Sequence, residues 1–383
     1  MADPTHQEHL DGTLIRGGTS RGLYVTPGEL PDDSERRDEV LIDIFGTPDP
    51  LQVDGIGGGN SHTSKVMIVD ESDRDDADVA YTFGQIGIEN AVVDWSGNCG
   101  NLTSGVGVFA LRSGLVDTAA PETELTLYNT NTETYVDQVV PVADGKPAVR
   151  GDYRVDGVPG TGARIDSYFR RPAGAVTGRL FPTGERVETV TVVGDDYAVS
   201  IVDVANPNVF LRARDLGLDG TELPQELNDP ELLDRLELIR GAVCERLGLV
   251  EDRRDAADQR AAVPQVALVS EPQSYATVSG DRVDAADVDV TSRIVTTQTP
   301  HHSYATTGAM CLAAATRLGG TIPAEFARPG DGPDVTIGHP KGTITIGTET
   351  GTSAGEPTIE RVRVSRTARL LVDGEMYYRA DAE

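Results

Sequence analysis

Lysine is almost absent from this 383-residue chain: it occurs at Lys65, Lys146 and Lys341, and arginine supplies every other cationic side chain. Cysteine is as scarce. Cys99, Cys244 and Cys311 are too few and too far apart for a disulfide framework or a Cys-x-x-Cys metal site, which fits a reducing cytoplasm. No apolar run approaches the roughly 20 residues that span a bilayer, and residues 1–10 are polar, without the apolar core of a secretory signal. The sequence therefore predicts a soluble cytoplasmic protein. Positive charge is outweighed throughout, with a formal net charge of -29. Acidic residues are scattered (32–39, 70–78, 252–258) instead of forming one tail, and such a surface repels nucleic acid and anionic membrane. It reads as a solvated, halophilic surface, with an electrostatic partner site as the alternative.

Short strand-like runs punctuated by Gly, Pro, Asn and Asp dominate: 13–25, 65–69, 124–128, 136–142, 189–193, 197–202, 266–269 and 343–346. Residues 36–44 read as a surface helix, and 230–247 carry apolar residues at helical spacing. Residues 102–111 and 307–318 are rich in small residues and apolar nearly all round, the mark of a buried helix. Each of these two buried helices has strands before and after it. Residues 13–25, ending Gly22-Leu23-Tyr24-Val25, have a counterpart in 199–211, ending Asn208-Val209-Phe210-Leu211, so the architecture is built twice. The expected domains are residues 1–185 and 186–365, joined near 182–188, with a final strand near 366–383 that can return to the first.

The run Trp95-Ser96-Gly97-Asn98-Cys99-Gly100-Asn101 sets a thiol between glycines directly before the first buried helix. A helix start leaves unpaired N–H groups and a partial positive charge, which stabilise a thiolate and offer donors to an incoming carboxylate. A free cysteine is also commonly a small buried hydrophobe, but the flanking Asn98, Gly100 and Asn101 describe a polar lining. Cys244 and Cys311 fall inside apolar helices and read as structural.

The loop Asp54-Gly55-Ile56-Gly57-Gly58-Gly59-Asn60-Ser61-His62-Thr63-Ser64-Lys65 leads into a strand, so it fails both the Walker and the Rossmann patterns, which need a helix there. Glycines such as Gly57 and Gly58 would let backbone amides approach a carboxylate, with Thr63 and Ser64 hydroxyls as added donors and Lys65 facing the substrate. A lysine snorkelling to solvent is the bland alternative. His301-His302 lies before the second buried helix, at no zinc-like spacing from other ligands; a carboxylate contact, a proton relay and a helix cap stay open. Arg16, beside the turn Gly17-Gly18-Thr19-Ser20, could clamp a carboxylate bidentately, and Arg293 and Arg366 are similar candidates with less local support. No Gly-x-Ser-x-Gly elbow is present, which disfavours hydrolase chemistry.

Taken together, Arg16-Gly17-Gly18-Thr19-Ser20, Asp54-Gly55-Ile56-Gly57-Gly58, Thr63-Ser64-Lys65-Val66, Asp94-Trp95-Ser96-Gly97-Asn98-Cys99-Gly100-Asn101, Asn206-Pro207 and His301-His302 resemble the PrpF-type isomerases, in the family's order and over nearly the whole chain. That family includes 2-methylaconitate cis–trans isomerase, 3-methylitaconate Δ-isomerase and 4-oxalomesaconate tautomerase. The resemblance implies an α/β (α+β) diaminopimelate-epimerase-like fold: two pseudo-symmetric domains, each a barrel-like, mostly antiparallel sheet around a central helix, with the substrate where the two helix N-termini face each other. It implies no cofactor, no metal and a place in propionate metabolism, and leaves a homodimer open.

Epimerases of this fold usually carry a cysteine at each helix start. Here the second half has Thr306-Thr307-Gly308 at that place, which argues against a two-thiol racemase. The resemblance makes Lys65 and Cys99 the proton-transfer pair, with Lys65 the expected base and the reverse assignment open. Arg16, Thr19, Ser20, Gly57, Gly58, Ser64, Asn98, Gly100, Asn101, His301, His302, Thr307 and Gly308 are the expected substrate contacts. The implied activity is cofactor-independent proton movement on an unsaturated di- or tricarboxylate: 2-methylaconitate cis–trans isomerisation or a methylitaconate double-bond shift. Oxalomesaconate tautomerisation and an inert carboxylate-binding protein are the alternatives.

Overall fold

The computed structural model describes residues 7–95, 97–353 and 355–379, so Ser96 and the last part of the expected final strand lie outside the described residues. The chain opens with β1 (Gln7–Gly17), β2 (Ser20–Val25), α1 (Ser34–Phe45), β3 (Lys65–Glu71), β4 (Val79–Ile86), β5 (Val93–Asp94) and α2 (Gly100–Ser113). It continues through β6 (Glu122–Asn129), β7 (Thr134–Ala143), β8 (Lys146–Pro147), β9 (Ile165–Arg170), β10 (Glu188–Val192), β11 (Asp195–Val204) and β12 (Asn206–Arg212). Next come α3 (Pro224–Leu227), α4 (Pro230–Arg246), α5 (Ala256–Gln259), β13 (Gln265–Ser270), β14 (Tyr275–Ala276), β15 (Arg282–Val283), β16 (Val290–Thr296) and β17 (Thr299–Pro300). The last elements are α6 (Thr306–Thr316), α7 (Ile322–Phe326), β18 (Asp334–His339), β19 (Gly342–Ser353), β20 (Glu356–Arg366) and β21 (Ala368–Arg379). The fold is mixed α/β, dominated by sheet.

Two compact units result: Met1–Ser167 together with Ser365–Glu383, and Tyr168–Val364. The division falls inside β9, and residues 182–188 lie within the second unit. The return of the chain's end to the first unit follows from β21, which pairs along the whole length of β1.

In the first unit the ladder runs β21-β1-β2-β3-β4-β6-β7-β9, and its pairs through β6–β7 are antiparallel except at β2–β3 and β4–β6. In the second it runs β10-β11-β12-β13-β16-β18-β19-β20, antiparallel except at β12–β13 and β16–β18. The order is the same and so is the sense of the pairs from the first through β6–β7 and β18–β19. The repeat expected from two short sequence segments thus extends over the ladder from its first pair through β6–β7 and β18–β19. Among the described residues neither ladder closes on itself by hydrogen bonds, so each sheet curves round its helix without forming a closed barrel.

Both central helices are buried by small residues. In α2, Gly100 through Leu111 are all buried, and in α6 every residue is. A Cβ on Gly105 would lie 2.4 Å from the Tyr24 hydroxyl and one on Gly107 2.3 Å from Gln138 Oε1, so larger residues would push the strands away. Gln138 uses that closeness: its Oε1 accepts the Gly107 N–H at 2.9 Å and its Nε2 donates to Thr103 O and Ser167 Oγ. The outer helix α1 is capped by Asp33, which accepts the Arg36 N–H, and stops at Gly46 with φ 69°.

Candidate active site

Cys99 is the N-cap of α2, 9% exposed and a free thiol. Its N–H donates to Asn98 Oδ1 at 2.7 Å, and its carbonyl accepts the N–H and hydroxyl of Thr103. The cap is therefore built from backbone, which leaves the thiol beside the first-turn N–H groups that have no partner within the helix. The preceding loop is held from outside. Trp95 Nε1 donates to Asp38 on α1 and its carbonyl accepts Asn131 Nδ2, while the same Asn131 amide bridges both backbone groups of Phe83.

Lys65 begins β3 and is 9% exposed. Its ammonium donates to Gln85 Oε1 on β4, directly across the ladder, and sits 5.1 Å from the centre of the Phe83 ring. Gln85 is fixed in turn by its own Nε2, which donates to Ser64 O and Ile86 O. Burial pulls the Lys65 pKa below the ordinary lysine value, and the negative charge of a Cys99 thiolate opposes that pull. A buried amine with a lowered pKa is what acid–base chemistry at moderate pH requires.

Two buried phenols complete the surroundings. Tyr24 on β2 donates to Leu102 O, and its pKa is raised first by burial and then by Cys99. Tyr81 on β4 is raised to about 12 by burial, with hydrogen bonding to Thr103, Asn129 and Asn98 lowering it and Cys99 raising it. Both stay neutral at neutral pH. Gln85, Phe83, Tyr24 and Tyr81 were not picked out from the sequence; the lysine register, with Gln85 facing Lys65 in a β3–β4 hairpin, is the signal that could have found the first two.

The other expected contacts divide into groups. Asn101, in the first turn of α2, meets Thr19: its Nδ2 donates to the Thr19 hydroxyl and its Oδ1 lies 3.4 Å from the Thr19 N. Arg366 Nε donates to the same Oδ1 at 3.0 Å, so a residue from the far end of the chain joins this turn. Gly18, with φ 50°, makes room, since a Cβ there would lie 2.1 Å from Asn101 Oδ1. Ser20 and Gly100 are buried beside it. Arg16 is differently engaged: its Nη1 donates to Gly18 O and to both oxygens of Thr367, which ties down the β20–β21 connection.

The glycine loop serves packing more than approach to a ligand. Gln52, 1% exposed and at φ 49°, lays its amide on Gly57, where a Cβ would clash at 2.3 Å. Its Oε1 accepts the Gly59 N–H and the Ser64 hydroxyl. Gly58 is exposed and packs on Thr63. Ser64 is thus turned to Gln52 while the next residue, Lys65, points to the opposite face, as strand alternation requires.

In the second unit Thr307 Oγ1 accepts Asn206 Nδ2 at 3.1 Å and faces Gln265 Nε2 at 3.5 Å, and a Cβ on Gly308 would lie 2.4 Å from Ile294 Cδ1. His301 is half-buried and its Nδ1 accepts the Ser303 N–H, whereas His302 is exposed. Arg293 is fully buried and donates to carbonyls of Thr221, Glu222 and Ser292, a structural staple and not a carboxylate clamp. The matching ladders give a direct comparison. Leu23–Val66 corresponds to Val209–Val266, so Gln265 occupies the place of Lys65, Thr296 that of Gln85, and Ala305 caps α6 where Cys99 caps α2. The lysine, its partner and the thiol are all confined to the first unit.

Residues 7–379 match the PrpF protein family, and the chain belongs to it. It is 40% identical to 3-methylitaconate isomerase of Eubacterium barkeri over 374 residues, covering 97% of each chain. It is 36% identical to 2-methyl-aconitate isomerase of Shewanella oneidensis, covering 96% of each. Identity to 4-oxalomesaconate tautomerase of Pseudomonas putida is 38%, again over 96% of each. The crystal structure of methylitaconate-delta-isomerase superposes with a TM-score of 0.82 at 40% identity, over 97% of this chain and 96% of that one. A hydroxyproline epimerase from Agrobacterium vitis shares the fold, with a TM-score of 0.57 at 14% identity over 96% and 92% of the two chains. Among the described residues no helix is long and apolar enough to cross a membrane.

Proposed function

We propose that this isomerase moves a proton on an unsaturated di- or tricarboxylate, with 3-methylitaconate and 2-methylaconitate as the leading substrates and Lys65 and Cys99 as the transfer pair. The observation that carries this is the buried Lys65 ammonium, hydrogen-bonded to Gln85 and within the electrostatic reach of Cys99 at the start of α2. Lys65, neutral in its active form, takes the proton from the carbon next to the alkene. The electron pair spreads through the alkene into a carboxylate, whose growing charge the first-turn N–H groups of α2 stabilise, a contribution worth about 10²-fold in rate per donor. Cys99 returns a proton to the same carbon after rotation, or to the far alkene carbon, giving cis–trans isomerisation or a double-bond shift. Thr307, Gly308, His301 and His302 are proposed as carboxylate-binding residues of the second unit, and the cytoplasm as the place of action.

Incubation in D₂O with 3-methylitaconate, 2-methylaconitate and 4-oxalomesaconate tests the reading. Isomer and deuterium incorporation are expected in the wild type, lost in Lys65→Ala and greatly reduced in Cys99→Ser. Exchange that persists in both variants would sink the assignment. Tautomerisation of 4-oxalomesaconate is the second reading, favoured by the 38% identity to a tautomerase, and turnover of that substrate alone would select it.

A further inference from the structure

The turn that opens the glycine-rich loop is built against ordinary preference. Leu51 and Val53 are 75% and 84% exposed, while Gln52 between them is 1% exposed and sits at φ 49°. Two apolar side chains are left in water, and a left-handed backbone is imposed on a residue with a Cβ, so that one amide can lie inside. The Asp49 carboxylate keeps the turn in this form by accepting the Leu51 and Val53 N–H groups at 3.3 Å and 2.9 Å.

What the buried amide holds gives the turn its purpose. Gln52 Oε1 accepts the Ser64 hydroxyl at 2.5 Å and the Gly59 N–H at 2.9 Å. The Ser64 carbonyl in turn accepts the Ile86 N–H at 3.0 Å and Gln85 Nε2 at 2.8 Å. Gln85 Nε2 also donates to Ile86 O at 3.1 Å and lies 3.4 Å from Ser61 O. Both amide hydrogens are thus committed, and a reversed amide would press its oxygen onto those carbonyls, so toward Lys65 Gln85 only accepts. The Phe83 ring, centred 5.1 Å from Nζ, offers an electron-rich face as well. Such neighbours hold the amine by its N–H groups and do not cap the lone pair of its neutral form. In the second unit, where Gln265 takes the place of Lys65, Thr296 takes that of Gln85 and the accepting amide is gone.

We propose that Gln52 is a positioning residue of the base: acting through Ser64 and Gln85, it fixes the Lys65 nitrogen with its lone pair uncapped, and this is the task of the glycine-rich loop. The proposal rests on Lys65 being the base, but the lysine itself can be read without turnover.

The experiment is a pH titration, from pH 6 to 11, of the full chain labelled with ¹³C at lysine Cε. Lys65 is one of three lysines, and Lys146→Arg and Lys341→Arg identify its signal. For the preferred substrate kcat and KM are measured alongside, above the midpoint, where protonation no longer limits the rate. Gln85→Met removes the acceptor of the ammonium and should lower the Lys65 midpoint by about one pH unit or more, since a hydrogen bond to the charged form favours it. Gln52→Met, one hydrogen-bonded residue further out, should lower it in the same direction. Each variant should cut kcat about tenfold with KM unchanged, the effect of a misplaced reacting group. The double variant should be no worse than Gln85→Met alone, because residues that act along one chain of contacts are not additive. A folded Gln52→Met protein with the wild-type midpoint or the wild-type kcat, or with effects that add to those of Gln85→Met, overturns the proposal. If circular dichroism shows that Gln52→Met does not fold, Ser64→Ala decides, since it removes the hydroxyl link and keeps the Ser64 carbonyl: a lowered midpoint supports the proposal and a wild-type one overturns it. A chain inert toward the three substrates that still shows the lowered midpoints would refute the proposed function and leave the link from Gln52 to Lys65 standing.

Discussion

Replacing Gln85 by glutamate puts a full negative charge on the oxygen that accepts the Lys65 ammonium. An opposite charge at hydrogen-bond distance raises a lysine pKa by about 1–3 units. Below that pKa each unit leaves tenfold less neutral amine, so if Lys65 is the base, kcat/KM near pH 7.5 should fall by about 10- to 1000-fold. The direction is set by the base: burial lowers the Lys65 pKa in the wild type, which moves the rise of activity with pH below the ordinary lysine range, and Gln85→Glu moves it back up. Loss of the Gln85 amide also removes donors from Ser64 O and Ile86 O, each net worth about 1 kcal/mol. Thermal unfolding separates that structural cost from the electrostatic one. The assay is kcat/KM for the preferred substrate from pH 6 to 10.5. An activity that is lost at low pH and recovered at high pH supports the mechanism; a folded variant with an unmoved profile, or one depressed equally at every pH, refutes Lys65 as the base.

Lys65→Met should abolish turnover and raise the melting temperature at pH 6–7. Below the lowered folded pKa both states carry the proton and the folded state bears the whole cost of the buried charge, a cost that fades as pH rises toward the unfolded value. The gap between the two melting curves should therefore narrow toward pH 10, and a variant less stable than wild type at pH 6 would contradict the burial argument. Gly18→Ala should cost about 1–2 kcal/mol from the left-handed backbone alone, with a further loss as Asn101 is displaced, measurable by denaturant titration and as a fall in kcat. Raising KCl from 0.1 M to 2 M should raise the melting temperature, since screening shortens from about 10 Å to below 3 Å and the dominant interaction at net charge -29 is self-repulsion. Exposed pairs such as Arg282–Asp284 weaken at the same time but contribute little. A melting temperature that falls with salt would show that the ion pairs outweigh the repulsion.

The two buried helices were legible because residues 102–111 and 307–318 are apolar on every side, and a helix of that kind has no place but a core. The doubling was legible only as a faint echo between Gly22-Leu23-Tyr24-Val25 and Asn208-Val209-Phe210-Leu211. The ladders match far better than the residues do because strand pairing depends on polarity pattern and turn position, which many side chains satisfy. The place where the chain divides was harder to read. Residues 182–188 carry the Pro and Gly of a linker, yet they lie inside the second unit as turns and bends leading into β10 at Glu188, while the division at Ser167 and Tyr168 runs through the regular alternation of β9 and leaves no compositional trace.

The lysine and the cysteine of the proposed pair stand out in the sequence through scarcity and setting. Their supports were not, because Gln85, Tyr24 and Tyr81 are ordinary strand residues that acquire meaning only from the register of β2, β3 and β4. The glycine loop misled for a related reason: the same freedom that would admit a ligand here admits the Gln52 amide. What the paired topology adds is a reason for the asymmetry. A two-thiol site needs equivalent acids at both helix starts, and here the equivalent positions hold Lys65, Gln85 and Cys99 in one unit and Gln265, Thr296 and Ala305 in the other. Amide, hydroxyl and methyl groups cannot carry protons near neutral pH, so these three positions of the second unit offer no counterpart to the proposed Lys65 and Cys99 pair. If Lys65 and Cys99 are the transfer pair, as proposed, the substrate must either rotate before the proton returns or receive it at a different carbon. Those are the two outcomes, cis–trans isomerisation and double-bond migration, that distinguish an isomerase of unsaturated acids from a racemase that inverts a single centre.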